Sequence, residues 1–183
     1  MRPIAPPDYL AGYPAHLADS VRETIACGKL GGILLKTYPQ PHDVRTDRSL
    51  YDYVQAIRNR YLKNSAPLSK VAYDSKLQLL HKALGTHSTV PRVQGGKLKA
   101  KREIRVAGIF RDMPDAFLRM IVVHELAHLK ESEHNKAFYQ LCQHMEAQYF
   151  QLEFDLRAYL TYLDAGGEPL WPSTTSPTPG ADG

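Results

Sequence analysis

Cysteine is scarce in this chain. Two residues in 183, Cys27 and Cys142, are too few for a disulfide framework, and both are read as reduced thiols. Long hydrophobic runs are missing as well: no stretch approaches the about 18 consecutive apolar residues that a spanning helix needs. The opening MRPIAPPDYLAGYPAHL sets prolines where a secretory leader needs an unbroken apolar segment. The expectation is a soluble, cytoplasmic protein with no membrane partner. There is no internal repeat and no phosphate-cradling loop of the form GxxxxGK[ST], which removes a P-loop nucleotide site. What is present is a hydrophobic content of 43%, enough for the core of one domain of this length.

Charge is divided unevenly. Residues 1–113 carry 19 Lys/Arg against 9 Asp/Glu, and residues 114–183 carry 4 against 10. A basic front half suits an acidic partner such as nucleic acid or a nucleotide; solvated surface lysine is the alternative reading.

Residues 14–27 read as a helix, with Pro14 near its start and Gly28 placed to end it. GGILLKTYP reads as a short buried segment and YPQPHDVRTD as a loop. Thr46 or Asp47 caps the next helix, on which Leu50, Tyr53, Val54, Ile57 and Tyr61 share one face. KVAYD reads as a strand, followed by a helical stretch near KLQLLHKAL. A Gly95–Gly96 turn precedes LKAKREIRVAGIF, whose partial alternation predicts a hairpin or two strands, the second a basic edge strand. Pro114 opens a helix, DAFLRMIVVHELAHLK, apolar nearly all round from Phe117 to Val123 and therefore buried. A second helix is expected over 135–150, and FDLRAYLTYL continues helical, with Leu152, Leu156, Tyr159 and Leu160 in the core. Residues 1–165 are expected to form one domain, and the Gly/Pro/Ser/Thr-rich stretch 166–183 a disordered tail.

HELAH, residues 124–128, carries the chemistry. Residues four apart on a helix stand about 5–6 Å apart on one face, so His124 and His128 can share one Zn²⁺. Glu125 lies about 100° round, beside the ion, placed to take a proton from metal-activated water. A catalytic zinc needs a third protein ligand. His134, six residues past His128, would face the wrong way on a continuing helix, about 240° round. The polar KESEHN offers the break, with Asn135 or Ser132 able to cap a new helix. His134 is the expected third ligand; Glu153, Asp155 and His144 are its rivals, and His144 is also a candidate for a supporting role. The spacing equals that of the metzincin zinc motif, but Glu131 stands where metzincins have a glycine, so the chain is not assigned there. Two histidines and a glutamate in a buried apolar helix are costly unless a metal or hydrogen bonds satisfy them. Tyr139, Tyr149 and Arg157 are candidates for steadying an oxyanion. His16, His42, His81 and His87 read as surface or structural, and Cys142 as packing.

RMIVVHELAHLKESEHNKAFYQLCQHM followed by YFQLEFDLRAYL resembles the YgjP-like metallopeptidase family, related to the SprT-like and WLM zinc proteases. The resemblance covers residues 86–163, including RVQGGKLKAKREIRVAGIF, and extends upstream to LYDYV and KVAYDSKL. It implies a small zincin-like α+β fold, its helices packed on a short, mostly antiparallel sheet, with a catalytic core over about 69–163. It implies His124, His128 and His134 as zinc ligands and Glu125 as catalytic base, in a zinc-dependent metallopeptidase-like hydrolase acting on peptide or protein. A peptide would lie along the strand ahead of the HELAH helix. Some relatives carry the label UTP pyrophosphatase, so a metal-dependent nucleotide hydrolase is the alternative enzyme. A DNA-associated, zinc-stabilised binding module is the non-enzyme alternative: SprT-like relatives act on DNA-bound proteins, and Arg92, Lys97, Lys99, Lys101, Arg102, Arg105 and Arg111 in the basic segment 92–111 would suit nucleotide or DNA.

Overall fold

The computed structural model describes residues 8–75 and 103–172. Helix α1 (Ala15–Ala26) and helix α2 (Leu30–Thr37) come first, then α3 (Asp47–Tyr61). Strand β1 (Lys70–Asp74) and strand β2 (Glu103–Ala107) follow, then a 3₁₀ turn over Gly108–Asp112. Helices α4 (Asp115–Ala127), α5 (Lys136–Met145) and α6 (Tyr149–Asp164) complete an α+β fold. Among the described residues no helix is long and apolar enough to cross a membrane.

The helix boundaries follow local chemistry. Gly28, at φ +68°, ends α1: its N–H reaches the Ile25 carbonyl and that of Lys29 reaches Thr24, at 2.8 and 3.0 Å. Gly166, at φ +89°, ends α6 through the equivalent pair of bonds to Leu163 and Tyr162. Thr46 caps α3, accepting from the Ser49 N–H at 3.1 Å while the Ser49 hydroxyl accepts from the Thr46 N–H. Leu50, Val54 and Ile57 are buried on the predicted face, with Tyr53 and Tyr61 half-buried at its margin. The GGILLKTYP segment is the helix α2 rather than a fully buried run. Leu30 and Leu34 face inward while Ile33 and Leu35 stay exposed.

The sheet corrects the expected pairing. Among the described residues it has two strands, and β1 runs parallel to β2 in the register Val71–Ile104 and Tyr73–Val106. Alternation identifies a strand but says nothing of its partner or direction. Parallel strands need a crossover of a dozen or more residues, and residues 75–102 provide that length. Ile104 and Val106 are buried as the alternation predicts, and Arg105 is exposed. The strand stops at Ala107, because Gly108 begins the 3₁₀ turn. The KLQLLHKAL helix, the Gly95–Gly96 turn, His81 and His87 lie outside the described residues. So do Arg92, Lys97, Lys99, Lys101 and Arg102 of the basic segment. Its other two arginines are engaged within the fold: Arg105 pairs with Asp74 at 3.0 Å, and Arg111 lies over the Tyr73 ring.

Helix α4 is the buried axis, packed by α3, α5, α6 and β2. Every residue from Leu118 to Val123 except Arg119 is 2% exposed or less. Residues 166–172 depart from the expected loose tail. Trp171 is buried against Phe117 and Tyr159 and donates its indole N–H to the Tyr38 carbonyl at 2.8 Å. Burying a large ring with a satisfied N–H holds this stretch to the body. Residues 173–183 lie outside the described residues.

His42 ties the loop after α2 to the turn that launches α4. Its Nε2–H donates to the Phe110 carbonyl at 2.7 Å and its Nδ1 accepts from the Val44 N–H at 3.0 Å. Both nitrogens are satisfied only in the neutral ring, and burial holds its pKa below the ordinary 6.5. The unfolded chain therefore binds this proton more readily. The stability contributed by neutral His42 is complete above about pH 6.5 and is lost as pH falls below it. Urea midpoints of wild type and His42→Gln should lie furthest apart above pH 7 and converge toward pH 5. A gap that does not change with pH would refute the assignment.

Candidate metal centre

Helix α4 ends at Ala127, earlier than the HELAHLK run implies, and His128 is its C-cap. The backbone turns at once, with the N–H groups of Lys130 and Glu131 both reaching the Ala127 carbonyl at 3.0 Å. Asn135 opens α5, its side chain accepting from the Phe138 N–H at 2.9 Å. This break brings His134 back to α4. The turn is made with Glu131, not glycine, at its midpoint, and the backbone carbonyl of Glu131 accepts the Nδ1–H of His128 at 3.0 Å.

Three imidazole nitrogens converge. The Nε2 atoms of His124, His128 and His134 stand 3.3, 3.2 and 3.0 Å apart. Nitrogens held tetrahedrally at about 2.0–2.1 Å from one ion are about 3.3–3.4 Å apart, so the triangle needs only slight opening to accept one. The protons decide what it can hold. His128 donates from Nδ1 to a carbonyl, which leaves its Nε2 a bare lone pair. The Nδ1 of His124 meets the Tyr149 hydroxyl at 2.7 Å. Lone pairs facing one another repel, and a cation between them removes the conflict. The residues present thus fit a metal ion bound by imidazole, and within the described residues these three histidines form a group that could hold one. Burial and the two neighbouring histidines keep His124 well below the ordinary imidazole range, so protons compete weakly for its nitrogen.

Phe138 forms the floor. It is fully buried, and its ring centroid lies 4.9, 4.6 and 4.8 Å from those of His124, His128 and His134. It packs against all three rings, a contact no sequence feature announced beyond an apolar residue one helical turn past His134.

Glu125 is partly open to solvent, one residue beyond His124. Burial alone pushes its carboxyl up to about 7, and nothing among the described residues offsets the cost. A dication on the histidines would pull it back down. With an ion there, the carboxylate form that can accept a proton would be favoured.

The rival ligands lie elsewhere. Glu153 is buried in an ion pair with Arg157 at 2.9 Å. Asp155 accepts from the Tyr38 hydroxyl at 2.6 Å and from Gln151 at 2.8 Å. His144 is exposed, edge-on to Tyr61. Of the oxyanion candidates, Tyr149 is committed to His124 and Arg157 to Glu153 and the Tyr9 carbonyl. Half-buried Tyr139 lies beside His134, their ring centroids 6.3 Å apart. Cys142 is fully buried and packs in the core, as expected.

Comparison with known proteins places this site in context. A family model described as YgjP-like, metallopeptidase domain matches residues 75–159. The chain is 60% identical over 158 residues to a protein named UTP pyrophosphatase from Escherichia coli (strain K12), covering 86% of this chain and 95% of that relative. No solved structure matches it.

Proposed function

The chain belongs to the YgjP-like family, and on that premise we propose that it is a zinc-dependent hydrolase of the metallopeptidase kind, acting on peptide or protein. The observation that carries the reading is the set of three Nε2 atoms within 3.3 Å of one another, with Glu125 next in sequence to His124. His124, His128 and His134 hold the ion, and Glu125 is the general base. The ion supplies Lewis acidity, polarising the bond under attack and making water easier to deprotonate. Glu125 takes the proton of the attacking water on its carboxylate and returns it to the leaving group. The Nδ1 partners of His124 and His128 leave the Nε2 of each facing the shared point, and Phe138 packs against all three rings.

A second reading rests on the 60% identical relative, whose name is that of a nucleotide hydrolase. The same base and ion can serve attack on phosphorus. The zinc-loaded protein should therefore be offered an unstructured polypeptide and UTP in parallel. Cleavage of the polypeptide that a chelator stops, with no pyrophosphate released, is the expected result. Pyrophosphate release that depends on Glu125, with the polypeptide left intact, would overturn the peptidase half of the proposal and leave the hydrolase half standing.

A further inference from the structure

We propose that Tyr149 is a positioning residue of this centre: its hydroxyl holds the Nδ1 proton of His124 and so turns the Nε2 lone pair toward His128 and His134. The inference rests on the metal-binding reading above and adds the group that orients one donor.

An imidazole that donates through Nε2 must carry its proton on Nδ1, and an outer partner that accepts this proton fixes both tautomer and ring angle. His128 finds that partner in the Glu131 carbonyl, supplied by its own turn. His124 has no such turn. It sits inside α4, where the carbonyls one turn back are engaged in the helix, with Phe138 against its ring. The acceptor comes from the start of α6, 25 residues on, as the fully buried Tyr149 hydroxyl at 2.7 Å.

A phenol hydroxyl both donates and accepts. To accept from His124 it must send its own proton elsewhere. Glu153 stands one turn along α6 and interacts with that hydroxyl. Arg157, a further turn along, holds the Glu153 carboxylate through Nε at 3.1 Å and Nη2 at 2.9 Å, and donates from Nη1 to the Tyr9 carbonyl at 3.0 Å. Residues 149, 153 and 157 thus form one stripe on α6, one helical turn apart.

The test uses full-length protein and Co²⁺ as probe, with affinity measured against a competing chelator, the d–d spectrum recorded, and folding followed by circular dichroism. Tyr149→Phe keeps the ring and removes only the hydroxyl. The expected result is a folded protein whose Co²⁺ affinity falls about 10–100-fold, with altered band shape. A folded variant with wild-type affinity and spectrum would overturn the proposal. Should Tyr149→Phe not fold, NMR of the zinc-loaded wild type decides: a His124 Nδ1–H with a cross-peak to the Tyr149 ring supports the proposal, and a His124 ring with no proton on Nδ1 overturns it. Wild-type protein that takes up no Co²⁺ fails the metal-binding reading itself, an outcome distinct from a variant that binds as wild type does.

Discussion

Glu125→Gln is expected to keep about one zinc per chain while losing hydrolysis by about 10²–10⁴-fold. Glutamine has the shape of glutamate but cannot take up a proton. Glu125 contributes no atom to the nitrogen triangle, so the ion has no reason to leave. The loss should fall on kcat, since a base acts on the transition state and not on the bound ground state. The pH profile gives a second readout. Only the ionised carboxylate accepts a proton, so the wild-type rate rises with pH through the pKa of Glu125 and levels above it. Burial pushes that pKa up to about 7, and the ion's charge draws it down again, so the rise belongs below neutrality. Glu125→Gln should show no such rise in its residual rate. Elemental analysis beside turnover checks both parts. Zinc lost with activity would make Glu125 a structural support, and activity retained in full would move the base to another residue.

His134→Ala is expected to strip the zinc. Two histidines one turn apart remain, and a two-nitrogen site cannot hold the ion through dialysis against a moderate chelator. Wild type should retain about one ion per chain under the same treatment, and the variant a small fraction of it. Its melting temperature with excess zinc should fall toward that of the metal-free wild type, because an ion that binds only the folded state stabilises it in proportion to its affinity. Glu153, Asp155 and His144 offer no rescue, being engaged with Arg157, Tyr38 and Tyr61. Full zinc in the variant would show that the third donor is not His134.

The separate fates of these residues show how far a sequence can be read. The spacing of His124 and His128, the cap at Thr46 and the stop at Gly28 all act within one or two helical turns, and each was legible where it stands. The return of His134 was legible too, because KESEHN breaks a helix and Asn135 starts one. The partner of β2 was not. Ile104 and Val106 present the same alternation whether the neighbouring strand runs parallel or antiparallel, and that neighbour lies some thirty residues earlier. Trp171 looked like part of a loose tail because its pocket is assembled from Phe117, Tyr159 and the Tyr38 carbonyl, none of them near it in the chain.

The sequence by itself determined where three histidines and a glutamate stand, and the turn that brings the histidines together. Those choices are local, made by helix period, capping and the order of polar and apolar residues. Only the tertiary structure decided how the nitrogens are aimed. The Glu131 carbonyl accepts through its backbone, which no side chain announces, and Tyr149 reaches His124 from another helix. Phe138 meets all three rings only once α5 packs on α4. Orientation at such a site depends on contacts between elements distant in the chain, and these form only when the core closes around α4.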